Sequence, residues 1–277
     1  MTKTCYIHIH VPKNAGSTFN AILARRFGGR YLSDYKYPPG YILSEAEKRE
    51  YVLAHPECEC IGNHVFRFPG PPLPEVTYRY LTFLRHPVPR LVSLYAYERK
   101  TSDPSHCSHR PLEEWLDIRL TSRDSALTNY QTYHICGLDD PVKMSFDLAR
   151  RTLEQFDFVG ILEDFDNSLL LLARSLGWPL DDLYYRKVNE TKSESTVAVN
   201  SQTRQRILDL NQLDLQLYEY GLERHRRNLS SMSRARLALD RFAFGAVRSL
   251  PRKVANRVSD WRRRLGKKSN TLIAPRS

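Results

Sequence analysis

Apolar positions along the chain switch repeatedly between two periods, with short β-rich runs followed by stretches at helical spacing. Thr4–Val11 (TCYIHIHV) is the first β-rich run, closed by Pro12. Ser17–Phe27 follows, with Phe19, Ile22, Leu23 and Phe27 at helical spacing before a Gly28-Gly29 stop. Ser44–Leu53 reads as a polar helix with Ser44 as N-cap and Glu47 completing a capping box. Cys58–Val65 is predicted as a second strand and its exit, leading to the Pro-rich turn Pro69–Pro74, and Arg79–Leu84 as a third strand. A helix then opens at Pro87 and runs to about Arg99. Further helices are predicted at Leu112–Leu120, Ser125–Cys136 and Val142–Phe156. Phe158–Leu162 is a fourth strand, Phe165–Leu176 a helix ending at Gly177, and Gln202–Arg226 one long helix. The recurring strand–helix order predicts an α/β fold: a P-loop-like parallel sheet flanked by helices on both faces, with ligands at the carboxyl ends of the strands.

Charge changes the picture at one end. The chain of 277 residues carries a formal net charge of +11, yet residues 223–277 hold 16 Lys+Arg against 3 Asp+Glu, and residues 1–222 hold 26 against 28. The basic character therefore belongs to a tail, which argues against a nucleic-acid-binding core. Two domains are expected: a catalytic one over 1–222 and a basic amphipathic helical appendage over 223–277. In the tail, Leu237, Leu239, Phe242, Phe244 and Val247 alternate with Arg, and after Pro251 the pattern resumes with Val254, Val258, Trp261 and Leu265. Such helices either lie on an anionic membrane or pack as a solvated appendage. No run approaches the ~20 apolar residues of a membrane span. Cys5–Val11, interrupted by His8 and His10, reads as a strand and not as a signal peptide. Five cysteines (Cys5, Cys58, Cys60, Cys107, Cys136) form neither a CxxC pair nor an even framework, which predicts a cytoplasmic, reducing location. Cys58 and Cys60 are read as ordinary strand positions, and His106–His109 as a solvated loop. No spacing in the chain argues for a metal.

Chemistry concentrates at three strand exits. In His10–Thr18 (HVPKNAGST), Gly16 permits close backbone approach, Ser17 and Thr18 offer hydroxyls and amides at a helix N-terminus, and Lys13 adds a point charge. That is an anion site; the alternative is a loop in which Ser17 simply caps the helix. The Lys precedes the glycine, so this is not the Walker pattern GxxxxGK[ST]. In Leu84–Tyr95 (LRHPVPRLVSLY), Arg85 leaves a strand where it can make a forked contact to phosphate, and Ser93 lies in the next helix. Arg90 reads as a solvated helix position. Between them, Ile61–Phe68 (IGNHVFRF) carries His64, whose ordinary pKa suits proton abstraction near neutrality.

The pairing of HVPKNAGST with TFLRHPVPRLVSLY resembles the two donor-binding segments of sulfotransferases that use 3′-phosphoadenosine-5′-phosphosulfate (PAPS). It is most similar to the carbohydrate branch that contains heparan sulfate 2-O-sulfotransferase and bacterial relatives. The resemblance implies that Lys13, Asn14, Ala15, Gly16, Ser17 and Thr18 hold the 5′-phosphosulfate, and that Arg85 and Ser93 hold the 3′-phosphate. It implies His64, in a His-Val pair after the second strand, as the catalytic base, with Lys13 stabilising the leaving oxygen. Two positions depart from the family pattern: Asn14 replaces Thr or Ser, and His86 replaces Asp or Asn. Gly62 stands where the branch can carry a second His, so one base is expected. The likeness continues more faintly through Asn129–Thr132, Phe158–Phe165, Val188–Lys192 and Asp214–Tyr218.

The function expected is transfer of a sulfuryl group from PAPS to a carbohydrate hydroxyl by in-line displacement, without a metal. Tyr35–Tyr41, Asn63–Phe68 and Asn129–Tyr133 are candidates to line the acceptor site, and Lys192 is a further candidate for contact with the donor. Two rival classes are a small-molecule kinase needing ATP and magnesium, and a catalytically silent nucleotide-binding scaffold.

Overall fold

In the computed structural model, residues 2–33, 37, 40–101, 110–121, 125–138, 140–185 and 197–249 are described. The amino-terminal half contributes β1 (Lys3–His8), α1 (Gly16–Phe27), β2 (Tyr31–Leu32), α2 (Glu45–Leu53), β3 (Cys60–Ile61), β4 (Val76–Leu84) and α3 (Pro87–Thr101). Then come α4 (Leu112–Thr121), α5 (Tyr130–Cys136), α6 (Phe146–Glu154), β5 (Phe158–Ile161), α7 (Phe165–Leu176), α8 (Ser201–Leu210), α9 (Gln212–Ser230) and α10 (Arg234–Ser249). The strands form one sheet in the order β2-β3-β1-β4-β5, and every pair is parallel. From the central β1 the chain runs to one edge and then crosses to the other side of β1. The strand order therefore reverses there, which opens a crevice at the carboxyl ends of β1 and its neighbours.

Alternation along the strands sorts side chains into two layers, because successive residues point to opposite faces. Cys5, Ile7 and Ile9 join Tyr80, Leu84, Val159 and Ile161 beneath α2, α5, α6 and α9. Leu81, Phe83 and Phe158 face the other way and pack with Phe19, Ile22 and Leu23 of α1 and Leu169 and Leu172 of α7. A third cluster joins Leu91 and Tyr95 of α3 to Trp115 of α4 and Ile207 of α8. Helices thus cover both faces, as the strand–helix order predicts.

The capping box of α2 forms as expected: the Glu47 amide donates to Ser44 Oγ, and the Ser44 amide to Glu47 Oε2. Several boundaries differ from the expectation: the strand expected from Arg79 begins at Val76, and the helix expected over Val142–Phe156 is a 3₁₀ turn at Pro141–Lys143 followed by α6. A two-residue strand, β2, adds an edge at Tyr31–Leu32. The helix expected over Ser125–Cys136 is a short 3₁₀ turn followed by α5, and the long carboxyl-terminal helix is interrupted at Asn211. One exchange explains both interruptions. Asn129, at φ 46°, accepts the amides of Leu213 and Asp214 on its Oδ1. Asn211 Oδ1 in turn accepts the amide of Asn129. Each asparagine satisfies the orphan donors at the other's helix start, so local helix propensity yields to a contact between distant segments.

Residues 222 and 223, where the charge changes, both lie inside α9. Beyond it, α10 buries Phe244 against the α1/α7 layer. Arg241 donates to Asn167 Oδ1, while Arg248 pairs with Asp166 and lies over the Tyr185 ring. The second predicted tail helix, beyond Pro251, lies outside the described residues, as do Tyr35, His106–His109 with Cys107, and Val188–Lys192.

Candidate active site

The three suspected segments do meet on one rim. Residues 9–15 leave β1 for α1, Gly62–His64 leave β3, and Arg85-His86 leave β4 for α3, and β3 and β4 flank β1.

The first exit is unusually shaped. Lys13 and Ala15 both sit at positive φ, 71° and 63°, and Asn14 between them does not. Non-glycine residues rarely adopt this region, and alternating hands of this kind turn successive amides toward one concavity, a nest suited to anions. The N-cap of α1 is Ala15, which offers no side-chain cap, and Ser17 is exposed within the first turn. The helix start is thus not capped by Ser17. The ends of the first-turn N–H groups carry the partial positive charge of the helix dipole. Gly16 is needed for a reason the sequence did not disclose: a Cβ there would lie 1.4 Å from His10 Nε2. The glycine makes room for an imidazole. Lys13 projects over the Tyr97 ring, with Nζ 4.1 Å from its centroid.

Asn14 turns inward. It is buried, and its Nδ2 donates to Phe83 O at 2.8 Å and to Gln131 Oε1 at 2.7 Å. Its side chain therefore ties the loop to the end of β4. The second exit answers in kind, because Arg85 donates from its guanidinium to Lys13 O at 3.0 Å. Ser93 is buried on α3. His86 occupies the N-cap place of α3, where its Nδ1 accepts the Val88 amide at 3.2 Å, with Pro87 as the first helical residue. Asp and Asn are good N-caps, and here an imidazole nitrogen does the same work, which accounts for the departure at this position. Arg90 is not a solvated residue. It is fully buried, donates to Ala126 O at 2.7 Å and lies over Tyr130, because α3 turns this side toward the 3₁₀ segment before α5.

His64 sits partly buried between these exits. Its Nδ1 lies 2.9 Å from the carbonyl of His10. A carbonyl only accepts, so Nδ1 carries the proton and Nε2 is the basic nitrogen. Burial holds the imidazole below its ordinary value of 6.5, against the opposing pull of that carbonyl, and Arg67 pushes in the same direction as burial. The ring is stacked on that of His10, centroids 4.0 Å apart, and His10 is stacked in turn on His8 at 5.2 Å. Instead of one isolated base, the site holds a column of imidazoles. Burial drives His10 well below 6.5, with His64 and His8 adding to it, and drives His8 to about 3. Both are neutral near pH 7. Among the described residues no group of His, Cys, Asp and Glu is arranged to hold a metal ion. The space a second histidine at position 62 would need is taken by the Tyr31 hydroxyl, which would lie 2.5 Å from a Cβ there.

The sequence pattern gave several residues of this site no supporting role. Gln131 and Asp214 are fully buried and connect the exits to α5 and α9, with the Asp214 carboxylate accepting the amides of Gln131 and Thr132. Asn20 links His8 Nδ1, at 2.9 Å, to the rest of the column. Arg67, buried, stacks 4.3 Å over Tyr133. Motif likeness at Asn129–Thr132 and Asp214–Tyr218 pointed toward Gln131 and Asp214, and the acceptor candidates Asn63–Phe68 and Asn129–Tyr133 included Arg67 and Tyr133; Asn20 carried no signal of its own. Tyr37 and Tyr41 stack at 5.3 Å, and the Leu43 amide beyond them donates to the carbonyl of Val65, next to His64.

Residues 1–257 match the model of a family described as galactose-3-O-sulfotransferase. Galactose-3-O-sulfotransferase 2 of Mus musculus is 30% identical over 246 residues, covering 79% of this chain and 61% of that protein. The human protein of the same name is 29% identical over 158 residues, 53% of this chain and 39% of its own length. An uncharacterized protein of Archaeoglobus fulgidus is 26% identical over 190 residues, 64% of this chain and 74% of that one. The chain thus spans less than two thirds of the mouse protein's length.

Proposed function

This chain belongs to the galactose-3-O-sulfotransferase family, and from that premise we propose that it transfers a sulfuryl group from PAPS to a carbohydrate hydroxyl. The observation that carries the reading is the stacking of His64 on His10, which places a neutral imidazole beside the first residue of the anion-binding loop. The donor, when bound, supplies an activated sulfuryl group whose leaving group is a phosphate. The nest at Lys13–Ala15 and the start of α1, with Gly16, Ser17 and Thr18, suit its 5′ end. Arg85 and Ser93 are assigned to the 3′-phosphate, and Asn14 acts by shaping the loop. His64 Nε2 takes the proton of the acceptor hydroxyl as its oxygen attacks sulfur. The bond from sulfur to the phosphate oxygen breaks, and Lys13 stabilises the charge left there. For that, Lys13 leaves its resting place over Tyr97. The relatives' names make a galactose-bearing glycan or glycoconjugate the first acceptor to try, and the Tyr37–Tyr41 pair is the platform we assign to it.

The same proposal includes a cytoplasmic location. Cys5, Cys58, Cys60 and Cys136 are buried free thiols, in keeping with a reducing compartment. No helix among the described residues is long and apolar enough to cross a membrane. Contact with an anionic membrane surface is assigned to the outer side of α10, where Leu239 is 64% and Phe242 78% exposed. Flotation with anionic vesicles, lost in a Leu239→Ser/Phe242→Ser variant, is the expected result.

A thermal-shift comparison of 3′-phosphoadenosine 5′-phosphate with ATP plus magnesium tests the main reading. Stabilisation by the bisphosphate of about 2.7 kcal/mol at a hundredfold excess over its Kd is expected. A shift with ATP alone would make the chain a kinase. Binding of the bisphosphate with no transfer to any glycan would make it a silent scaffold.

A further inference from the structure

The two exits assigned to the donor's two ends do not merely lie side by side, because one buried side chain bridges them. Gln131 Oε1 accepts from Asn14 Nδ2 at 2.7 Å and from the Arg85 amide at 2.9 Å, and its Nε2 donates to the Arg85 carbonyl at 2.8 Å. One carboxamide thus grips both backbone polar groups of the residue leaving β4 and, with the same oxygen, the side chain at the centre of the β1 loop. Gln131 is itself fixed, since its own amide donates to the Asp214 carboxylate from α9 at 3.1 Å. It is fully buried, so it touches neither donor nor acceptor.

We propose that Gln131 is a positioning residue that, together with the direct Asn14–Phe83 and Arg85–Lys13 bonds, holds the distance between the 5′ loop and Arg85, and thereby the selectivity for a nucleotide carrying phosphates at both ends. This rests on the donor assignment above. A ligand with one phosphate is gripped by one exit and is indifferent to their spacing. A 3′,5′-bisphosphate spans both exits, and its second contact is favourable only when the spacing is held in advance. No group on Gln131 itself is needed to recognise the ligand.

Calorimetric Kd values of 3′-phosphoadenosine 5′-phosphate and adenosine 5′-phosphate, measured on the full chain, test this. In Gln131→Met the preference for the bisphosphate is expected to fall about 10–100-fold, as befits loss of buried hydrogen bonds, while the monophosphate Kd moves less than about threefold. Asn14→Ala cuts the same bridge from the loop side, so it should lower the preference in the same direction. The double variant should lose less than the sum of the two singles, because they share the Asn14–Gln131 bond. If Gln131→Met does not fold, Asn14→Ala alone decides. Equal weakening of both nucleotides, or an unchanged preference in a folded variant, overturns the role of Gln131. Absence of any preference in the unaltered chain overturns the donor assignment instead, and this inference with it.

Discussion

The exits of β1 and β4 solve the same local problem in opposite ways. Both turn from a strand into a helix, and both must deal with the orphan amides of the first turn. After β4, the helix start is spent on the protein itself: His86 Nδ1 caps Val88, Pro87 lacks an N–H, and the His86 amide goes to Glu163. After β1, Ala15 provides no cap, and the backbone is held in a conformation that non-glycine residues avoid. A helix start that its own chain has capped can bind a ligand only through side chains such as Arg85. One left uncapped by side chains can bind through its backbone. The difference supports the proposal that the loop after β1 takes the end of the donor where charge develops.

His64→Ala should have the largest effect, because the proposed base stacks on the β1 side of the comparison. About 10²–10⁴-fold of turnover should vanish while the Kd of the bisphosphate holds. Near-full activity in this variant would leave the β1 exit without its chemistry. The wild-type acid limb of kcat/KM should fall below pH 6.5, in the direction that burial moves His64.

Acid comes next. Burial lowers the folded-state pKa of His8 from 6.5 to about 3. A group lowered in this way contributes its full stability above pH 6.5 and loses it as pH falls toward 3, at up to about 1.4 kcal/mol per pH unit. Thermal melts across that range should show the loss, and His8→Phe should make it shallower, leaving the share of His10 and His134, which burial lowers in the same direction.

Gly16→Ala should cost about 1–3 kcal/mol by overpacking, since the His10 ring is stacked between those of His8 and His64, and should also lower turnover by unseating the column under His64. Melting and kinetic measurements on one preparation check both. The smallest change belongs to the β4 exit. His86→Ala should lose about 1 kcal/mol of stability through its missing cap, and His86→Asn should recover most of it. Should His86→Ala instead abolish transfer at unchanged stability, the claim that this helix start serves only the fold fails.

Much of this was legible from local pattern. The strand before HVPKNAGST, the helix after it, the Ser44 capping box and the stop at Gly177 are set within a few residues, where sterics and capping act directly. The β2 edge was not legible, because two residues carry no period and its pairing comes from β3. Nor were the interruptions at Asn129 and Asn211, whose caps are 82 or more residues apart in sequence. His10 was visible as a motif residue, but its place against Gly16 and His64 was not.

By itself, then, the sequence determined the parallel α/β order, the identities of the residues at three strand exits, and the sulfuryl-donor family those residues resemble. Local propensity and short-range spacing are enough for that. The tertiary structure alone decided which nitrogen of His64 is basic, why position 16 is glycine, and that Gln131 joins the Asn14–Phe83 and Arg85–Lys13 bonds in tying the exits together. Each of these depends on atoms brought within about 3–4 Å from distant parts of the chain, and no periodicity along one strand of sequence encodes such a meeting.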